Sequence, residues 1–335
     1  MTDTTQMTTQ STQKRTLRAF GATGLRLSPL GLGCWQFSKG RGLVGGFWPD
    51  LSESAILEIV RISLEGGINW FDTAEVYGGG QSEQMLAAAL DKLGPAAADV
   101  YIATKWWPAM RTAANIARTI DERLRCLGGR SIALYQVHQP FSLSSVRSEM
   151  TAMAELVQKG HIANVGVSNY SARQMRDADR ALRDYGLRLA SNQVKYSMLD
   201  RRIERNGILE TAQELGIAII AYSPLEQGIL SGKFHKQPEL VRSIKGPRKW
   251  MSGFRAEGLH RTQPLIEALD RLAERYAASP TQIALNWLIH AHGDNVFAIP
   301  GASKPHHAEE NVKAMCFRLS DSEIGELSDI AKVRR

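Results

Sequence analysis

Eight short apolar runs, separated by stretches long enough for helical crossovers, constrain the fold of this chain more than any other feature. They are Leu30 to Trp35, Ile68 to Asp72, Val100 to Lys105, Ile132 to His138, Ile162 to Ser168, Leu189 to Val194, Ala218 to Tyr222 and Val296 to Pro300. Runs that are apolar throughout, rather than alternating, suit a parallel sheet buried on both faces. Between them lie helical stripes. Ile56, Ile59, Val60 and Leu64 form one that stops at Gly66-Gly67, and Ile116, Ile120, Leu124 and Leu127 form another that ends at Gly128. Val146, Met150, Met153 and Val157 precede Gly160, and these Met and Leu stripes read as core packing. Capping boxes open later helices at Ser171 with Gln174 and at Ser320 with Glu323, while Ser279-Pro280 supplies an N-cap and a first-turn proline.

Strand then helix, eight times over, predicts an α/β fold of the (β/α)8 TIM-barrel class with long loops at its C-terminal face. An open doubly wound sheet would carry GxGxxG in its first turn, but here the first strand reads Gly31-Leu32-Gly33-Cys34-Trp35-Gln36 and fails at the last position. Leu17 to Phe20 and Leu25 to Leu27 flank Gly21-Ala22-Thr23-Gly24 and predict an N-terminal β-hairpin that closes the bottom of the barrel. The expected organisation is a disordered Thr/Gln-rich polar leader over 1–16 and a single barrel domain over 17–335.

Composition narrows the function. The net charge of +7 arises from 41 basic and 34 acidic side chains scattered along the chain, not from a basic stripe of the kind that binds nucleic acid. No apolar run reaches a membrane span, so neither nucleic acid nor a membrane is expected as a partner. Three separated cysteines, Cys34, Cys126 and Cys316, suggest no disulfide framework or zinc site and fit a reducing, cytoplasmic compartment. His290, His292, His306 and His307 follow no metal-ligand spacing, so no metal is assigned. Nothing in the chain specifies an oligomeric state.

Barrel enzymes place their chemistry at the C-terminal ends of the strands. Strand two ends at Asp72, strand three at Lys105 and strand four at His138, while Tyr77 follows in the loop after Asp72. Hydride delivery to a carbonyl leaves negative charge on oxygen that a proton donor must meet, and phenol is reluctant at its ordinary pKa near ~10. The ammonium of Lys105 would favour phenolate, Asp72 would hold that ammonium, and a neutral His138 would orient the substrate oxygen. A Schiff-base aldolase with Lys105 as nucleophile is a rival, although a lysine paired with Asp72 should stay charged.

The chain resembles the aldo-keto reductase family from Leu17 to about Leu327. The resemblance is carried by Phe71-Asp72-Thr73-Ala74-Glu75-Val76-Tyr77-Gly78, Ala103-Thr104-Lys105, Leu134-Tyr135-Gln136-Val137-His138, Gly166-Val167-Ser168-Asn169-Tyr170 and Ala221-Tyr222-Ser223-Pro224-Leu225, in matching order and spacing. It implies a barrel that binds NADPH or NADP+ without a Rossmann fold, with NADH as the alternative, and reduces an aldehyde or ketone through the tetrad Asp72, Tyr77, Lys105 and His138. It places the nicotinamide carboxamide on Ser168, Asn169 and Gln193, stacks Tyr222 on the ring, and brings Gly33, Cys34, Trp35 and Asp72 nearby. Ser223, Pro224, Leu225, Gly228, Gly232 and Lys233 correspond to the pyrophosphate loop. Ser303 and Lys304 would contact the adenosine 2'-phosphate and Glu310 and Asn311 the adenine, with Gly301 and His307 also among the cofactor residues and Pro305 opening a helix there. His307 stands where many members carry arginine, which cannot be matched by a smaller, often neutral imidazole.

Trp35, Trp48, Trp106, Trp107 and Phe141 predict an apolar, aromatic pocket for a small-molecule carbonyl, with the glycine-rich loop from Lys39 to Trp48 over its mouth. The family is also similar to potassium-channel β subunits, so a cofactor-binding regulatory subunit with little turnover is the alternative.

Overall fold

Each of the eight apolar runs forms a strand or the core of one, and all eight join a single parallel sheet. The computed structural model describes residues 17–41, 50–244 and 252–332. The leader, Trp48 and most of the Lys39 to Trp48 loop lie outside the described residues. The chain enters through a hairpin, β1 (Arg18–Ala19) and β2 (Arg26–Leu27), paired antiparallel. The sheet runs β3 (Leu32–Gly33), β4 (Trp70–Asp72), β5 (Tyr101–Trp106), β6 (Leu134–Val137), β7 (Val165–Ser168), β8 (Leu189–Lys195) and β9 (Ala218–Tyr222). A short strand β10 (Ala291–Asp294) precedes β11 (Val296–Ala298), which pairs with β9 and completes the order. The first and last strands meet where Gly31 N–H donates to the Ala298 carbonyl at 2.9 Å and Ala298 N–H to that of Pro29 at 3.0 Å. Parallel bridges Leu30 to Ala298 and Gly33 to Gly301 complete the closure.

Helices follow the strands as the apolar stripes predict: Glu53–Glu65, Gln81–Leu93, Ala114–Cys126, Val146–Gln158, Ala172–Arg183 and Ile208–Leu215. The longer crossover after β9 carries Ala256–Arg275 and Pro280–His290, and Pro305–Lys313 follows β11. The capping boxes at Ser171 and Ser279 each pair a hydroxyl with the N3 amide and a glutamine with the cap amide. At Ser320, Glu323 N–H donates to Oγ at 3.3 Å while the Ser320 N–H donates to the Glu323 carboxylate at 2.9 Å. No helix among the described residues is long and apolar enough to cross a membrane.

Side-chain parity divides the core into two shells. Outward residues of the strands, including Ile102, Trp106, Tyr135, Val137, Val165 and Val167, pack under the helices. Inward residues Trp70, Ala103, Leu134, Ala218, Ile220 and Phe297 form an apolar floor with Phe20 and Leu27 of the hairpin. Phe20 stands edge-on to Phe297 at 5.1 Å between centroids and 6.2 Å from Trp70, so the hairpin seals the barrel bottom as the sequence predicts. Above that floor the inward positions turn polar, and the site begins there.

Candidate active site

The parity that places Trp70, Ala103 and Leu134 in the floor places Asp72, Lys105 and Gln136 one layer higher. Lys105 and Asp72 are fully buried, and their Nζ and Oδ1 atoms lie 2.5 Å apart. Lys105 Nζ also donates to the Thr73 carbonyl at 2.8 Å and to Tyr77 OH at 3.5 Å. The loop bearing Tyr77 is tied down locally. Tyr77 N–H donates to the Ala74 carbonyl at 3.1 Å and Gly80 N–H to that of Glu75 at 2.8 Å, while the Glu75 carboxylate pairs with Arg111. Beneath it, Thr73 Oγ1 donates to Ser82 Oγ at 2.8 Å and Ser82 Oγ to the Cys34 carbonyl at 2.7 Å. His138 follows β6 and meets Tyr77 edge-on at 5.7 Å, and Trp35 stacks on the phenol at 6.0 Å. The four expected catalytic residues therefore converge.

Their electrostatics follow from burial and this spacing. Burial pushes the Tyr77 phenol above its ordinary value of 10; the Lys105 ammonium opposes that rise and Asp72 adds to it, so the hydroxyl keeps its proton at neutral pH. Burial pulls Lys105 down, but the charge of Asp72, with Tyr77 behind it, outweighs burial and leaves the ammonium more basic than usual. A lysine so held is a poor Schiff-base nucleophile. Burial and Lys105 both hold His138 well below its ordinary range, so the imidazole is neutral. Its Nδ1 is buried without a protein partner. Cys34 is buried and pushed well up, mainly by desolvation, which leaves an unreactive thiol in the wall.

A cavity of about 750 Å3 opens above the tetrad and extends to the helix Pro305–Lys313. Every expected cofactor residue except Gly232 lines it. Gly232 instead takes a left-handed φ of 74° at the turn into Lys233–Lys236. Near the tetrad, Tyr222 OH donates to Asn169 Oδ1 at 3.1 Å and Ser168 Oγ to the Gln193 carbonyl at 2.9 Å. Asn169, Ser223, Glu226 and Gln227 all adopt positive φ, and such strain persists only where surroundings over-determine it. Glu226 is fixed by Lys195 Nζ and Ser197 Oγ, each at 3.0 Å. At the far end Ser303 N–H donates to His307 Nδ1 at 3.3 Å, which leaves the imidazole proton on Nε2. Burial, with His306, Lys233 and Lys304 adding to it, lowers His307 to about 4.

This lining fits a nicotinamide dinucleotide. Asn311 is buried at the cavity wall with its Nδ2 donor lacking any protein partner, as an adenine-facing amide would be. A Cβ at Gly301 would meet the side-chain amide of Gln36, which also lines the cavity, so glycine there lets that amide lie close to the backbone. Lys233 and Lys304 contribute cationic side chains to the wall.

The expected substrate residues divide. Trp35 and Trp107 line the cavity. Trp106 does not: the parity that turns Lys105 inward turns Trp106 outward, where it is fully buried and its Nε1 donates to Asn115 Oδ1 at 2.9 Å. Phe141 is half-exposed and stands against Trp107 at 5.7 Å, outside the wall itself. Sequence reasoning missed Gln139, which lines the cavity and accepts from Asn169 Nδ2 at 3.2 Å. It also missed Gln136, whose Nε2 donates to Asp72 Oδ2 at 3.1 Å beside Gln193 at 2.9 Å.

A family model described as the aldo/keto reductase family matches residues 29–332. An oxidoreductase of Mycobacterium tuberculosis is 36% identical over 312 residues, which is 92% of this chain and 91% of that one. The chloroplastic pyridoxal reductase of Arabidopsis thaliana is 31% identical over 320 residues, 92% of this chain and 84% of that one. Among solved structures, the glycerol dehydrogenase of Gluconobacter oxydans superposes with a TM-score of 0.81 at 26% identity, covering 96% of each chain. A thermostable aldo-keto reductase crystallised with the inhibitor epalrestat gives 0.73 at 29% identity, covering 94% of this chain and 99% of that one.

Proposed function

Because the chain belongs to the aldo/keto reductase family, we propose that it reduces an aldehyde or ketone to the alcohol, reversibly, with hydride from NADPH and a proton from Tyr77. The observation that carries this reading is one ammonium, Lys105 Nζ, lying 2.5 Å from Asp72 Oδ1 and 3.5 Å from Tyr77 OH at the base of the cavity. A reduced nicotinamide supplies hydride to the carbonyl carbon. Tyr77, protonated at neutral pH, gives its proton to the oxygen that becomes negative, and Lys105 stabilises the phenolate left behind. Asp72 keeps that ammonium charged and in place. Neutral His138 donates a hydrogen bond to the same oxygen and so sets the angle of the carbonyl.

For the cofactor, Ser168, Asn169 and Gln193 would hold the carboxamide, Tyr222 the ring face, and the loop from Ser223 to Lys233 the pyrophosphate. NADPH is favoured over NADH by Ser303 and Lys304, while neutral His307 supplies less attraction to a 2'-phosphate than an arginine would. Trp35 and Trp107 suit an apolar or aromatic carbonyl. Similar proteins named for pyridoxal reduction and glycerol dehydrogenation represent the two directions of such chemistry.

The test is a side-by-side titration with NADPH and NADH, then turnover on a panel of aldehydes and ketones by wild type and Tyr77→Phe. The variant should lose about 10²–10⁴-fold in turnover while still binding NADPH. Turnover close to wild type would remove Tyr77 from the mechanism.

A further inference from the structure

Gln136 is a fully buried amide on β6 that points inward and whose position in the barrel the tetrad does not explain. Leu134 below it belongs to the apolar floor and His138 above it to the cavity, so the strand sends three residues inward and the middle one is an amide. A buried amide is destabilising unless its donor and acceptor are used. Here both are. Nε2 donates to Asp72 Oδ2 at 3.1 Å, and Oε1 accepts from Gln193 Nε2 at 3.4 Å. Because a carboxylate only accepts, Asp72 fixes which end of the amide faces it. The neighbouring strand leaves room for this arrangement: a Cβ on Gly166 would lie 2.9 Å from Gln136 Cγ, so glycine at that position of β7 admits the side chain.

We infer that Gln136 is a positioning residue of the reaction, which through Asp72 sets how readily Tyr77 releases and regains its proton. This rests on the reading of Tyr77 as proton carrier. The Asp72 carboxylate is shared between donors on its two oxygens: Oδ1 faces the ammonium that favours phenolate, and Oδ2 faces the two amides, whose N–H dipoles offset part of the carboxylate charge. Removing the Gln136 dipole leaves the Asp72 charge less offset, which makes the potential at Tyr77 more negative and holds its proton tighter. The charged or titratable groups facing Tyr77 are Asp72 from β4, Lys105 from β5, His138 after β6, Cys34 after β3 and Tyr222 at the end of β9; of these, Asp72 is the one that Gln136 hydrogen-bonds.

The experiment uses full-length protein carrying 3,5-difluorotyrosine, which brings phenol titration into a mild pH range, read by 19F NMR without cofactor. Tyr77→Phe assigns the resonance among the 8 tyrosines. Gln136→Met should move the Tyr77 midpoint up by about half a pH unit, against unmodified Gln136, and lower alcohol oxidation roughly threefold on the rising limb of its pH profile. Gln136→Asn, which shortens the amide away from Asp72, should shift it the same way and serves if the methionine variant does not fold. A Tyr77 midpoint that stays in place in both variants, even with turnover reduced, would make Gln136 a packing residue and overturn the inference. A midpoint that moves while the rate limb does not would uphold the link from Gln136 to Tyr77 and refute Tyr77 as the proton carrier.

Discussion

Cutting the ion pair at the centre of the barrel from one side gives the sharpest test of how that centre is held. Lys105→Met keeps the stem of the side chain and deletes only the ammonium, which leaves the Asp72 carboxylate buried with the amides of Gln136 and Gln193 as its remaining partners. Breaking a buried pair this way costs about 3–5 kcal/mol, and a large domain loses roughly 2–4 °C of unfolding midpoint per kcal/mol, so a fall of about 10 °C is expected. The carbonyl of Thr73 also loses its donor, but that loss is common to any variant lacking Lys105. Asp72→Asn combined with Lys105→Met removes both charges and should regain about 2 kcal/mol over Lys105→Met alone. Thermal and urea unfolding followed by circular dichroism measure wild type, Lys105→Met, Asp72→Asn alone and the double variant without knowledge of substrate or cofactor. Losses from the two single variants that simply add in the double variant would show that the charges are not coupled, and the account of Lys105 as a held ammonium would fail.

The two adjacent tryptophans should respond oppositely. Trp106→Ala should lower stability by about 3–5 kcal/mol with KM values unchanged, whereas Trp107→Ala should raise KM several-fold for bulky aromatic aldehydes with little effect on stability. Unfolding midpoints and steady-state kinetics on both variants check this, and the reverse pattern would contradict the orientation of the two indoles. His307 predicts an acid limb: its folded-state value of about 4 lies below the ordinary 6.5, so the stability it contributes is full above 6.5 and lost as pH falls through 4. His307→Asn should therefore lose less midpoint temperature than wild type between pH 7.5 and pH 4.5, and equal losses would remove His307 from the acid response.

Much of this molecule was legible because burial on both faces writes each barrel strand as an uninterrupted apolar run. Boundaries were less legible. The first run extends to Trp35, but the strand stops at Gly33 because Trp35–Ser38 already winds into a 3₁₀ turn. The tetrad was visible as polar residues at the ends of such runs, a pattern that needs no side-chain geometry. Trp106 was misplaced because proximity to Lys105 in sequence was weighed without the alternation that sends successive residues to opposite faces. Applied to β6, that same alternation singles out Gln136, two residues before His138. The positive-φ residues Ser223, Glu226 and Gln227 had no signal at all, since their conformation is imposed by contacts such as Lys195 to Glu226 that join distant segments.

Among the described residues the aromatic floor closes one end of the barrel, and Phe20, Trp70 and Phe297 bring no titratable side chain to it. On the proposed reading, a proton given up by Tyr77 would then be replaced from the cavity side, by the path along which an alcohol would leave. Emptying the chamber and rearming its acid would become one event, and a product slow to leave would also keep the phenol discharged.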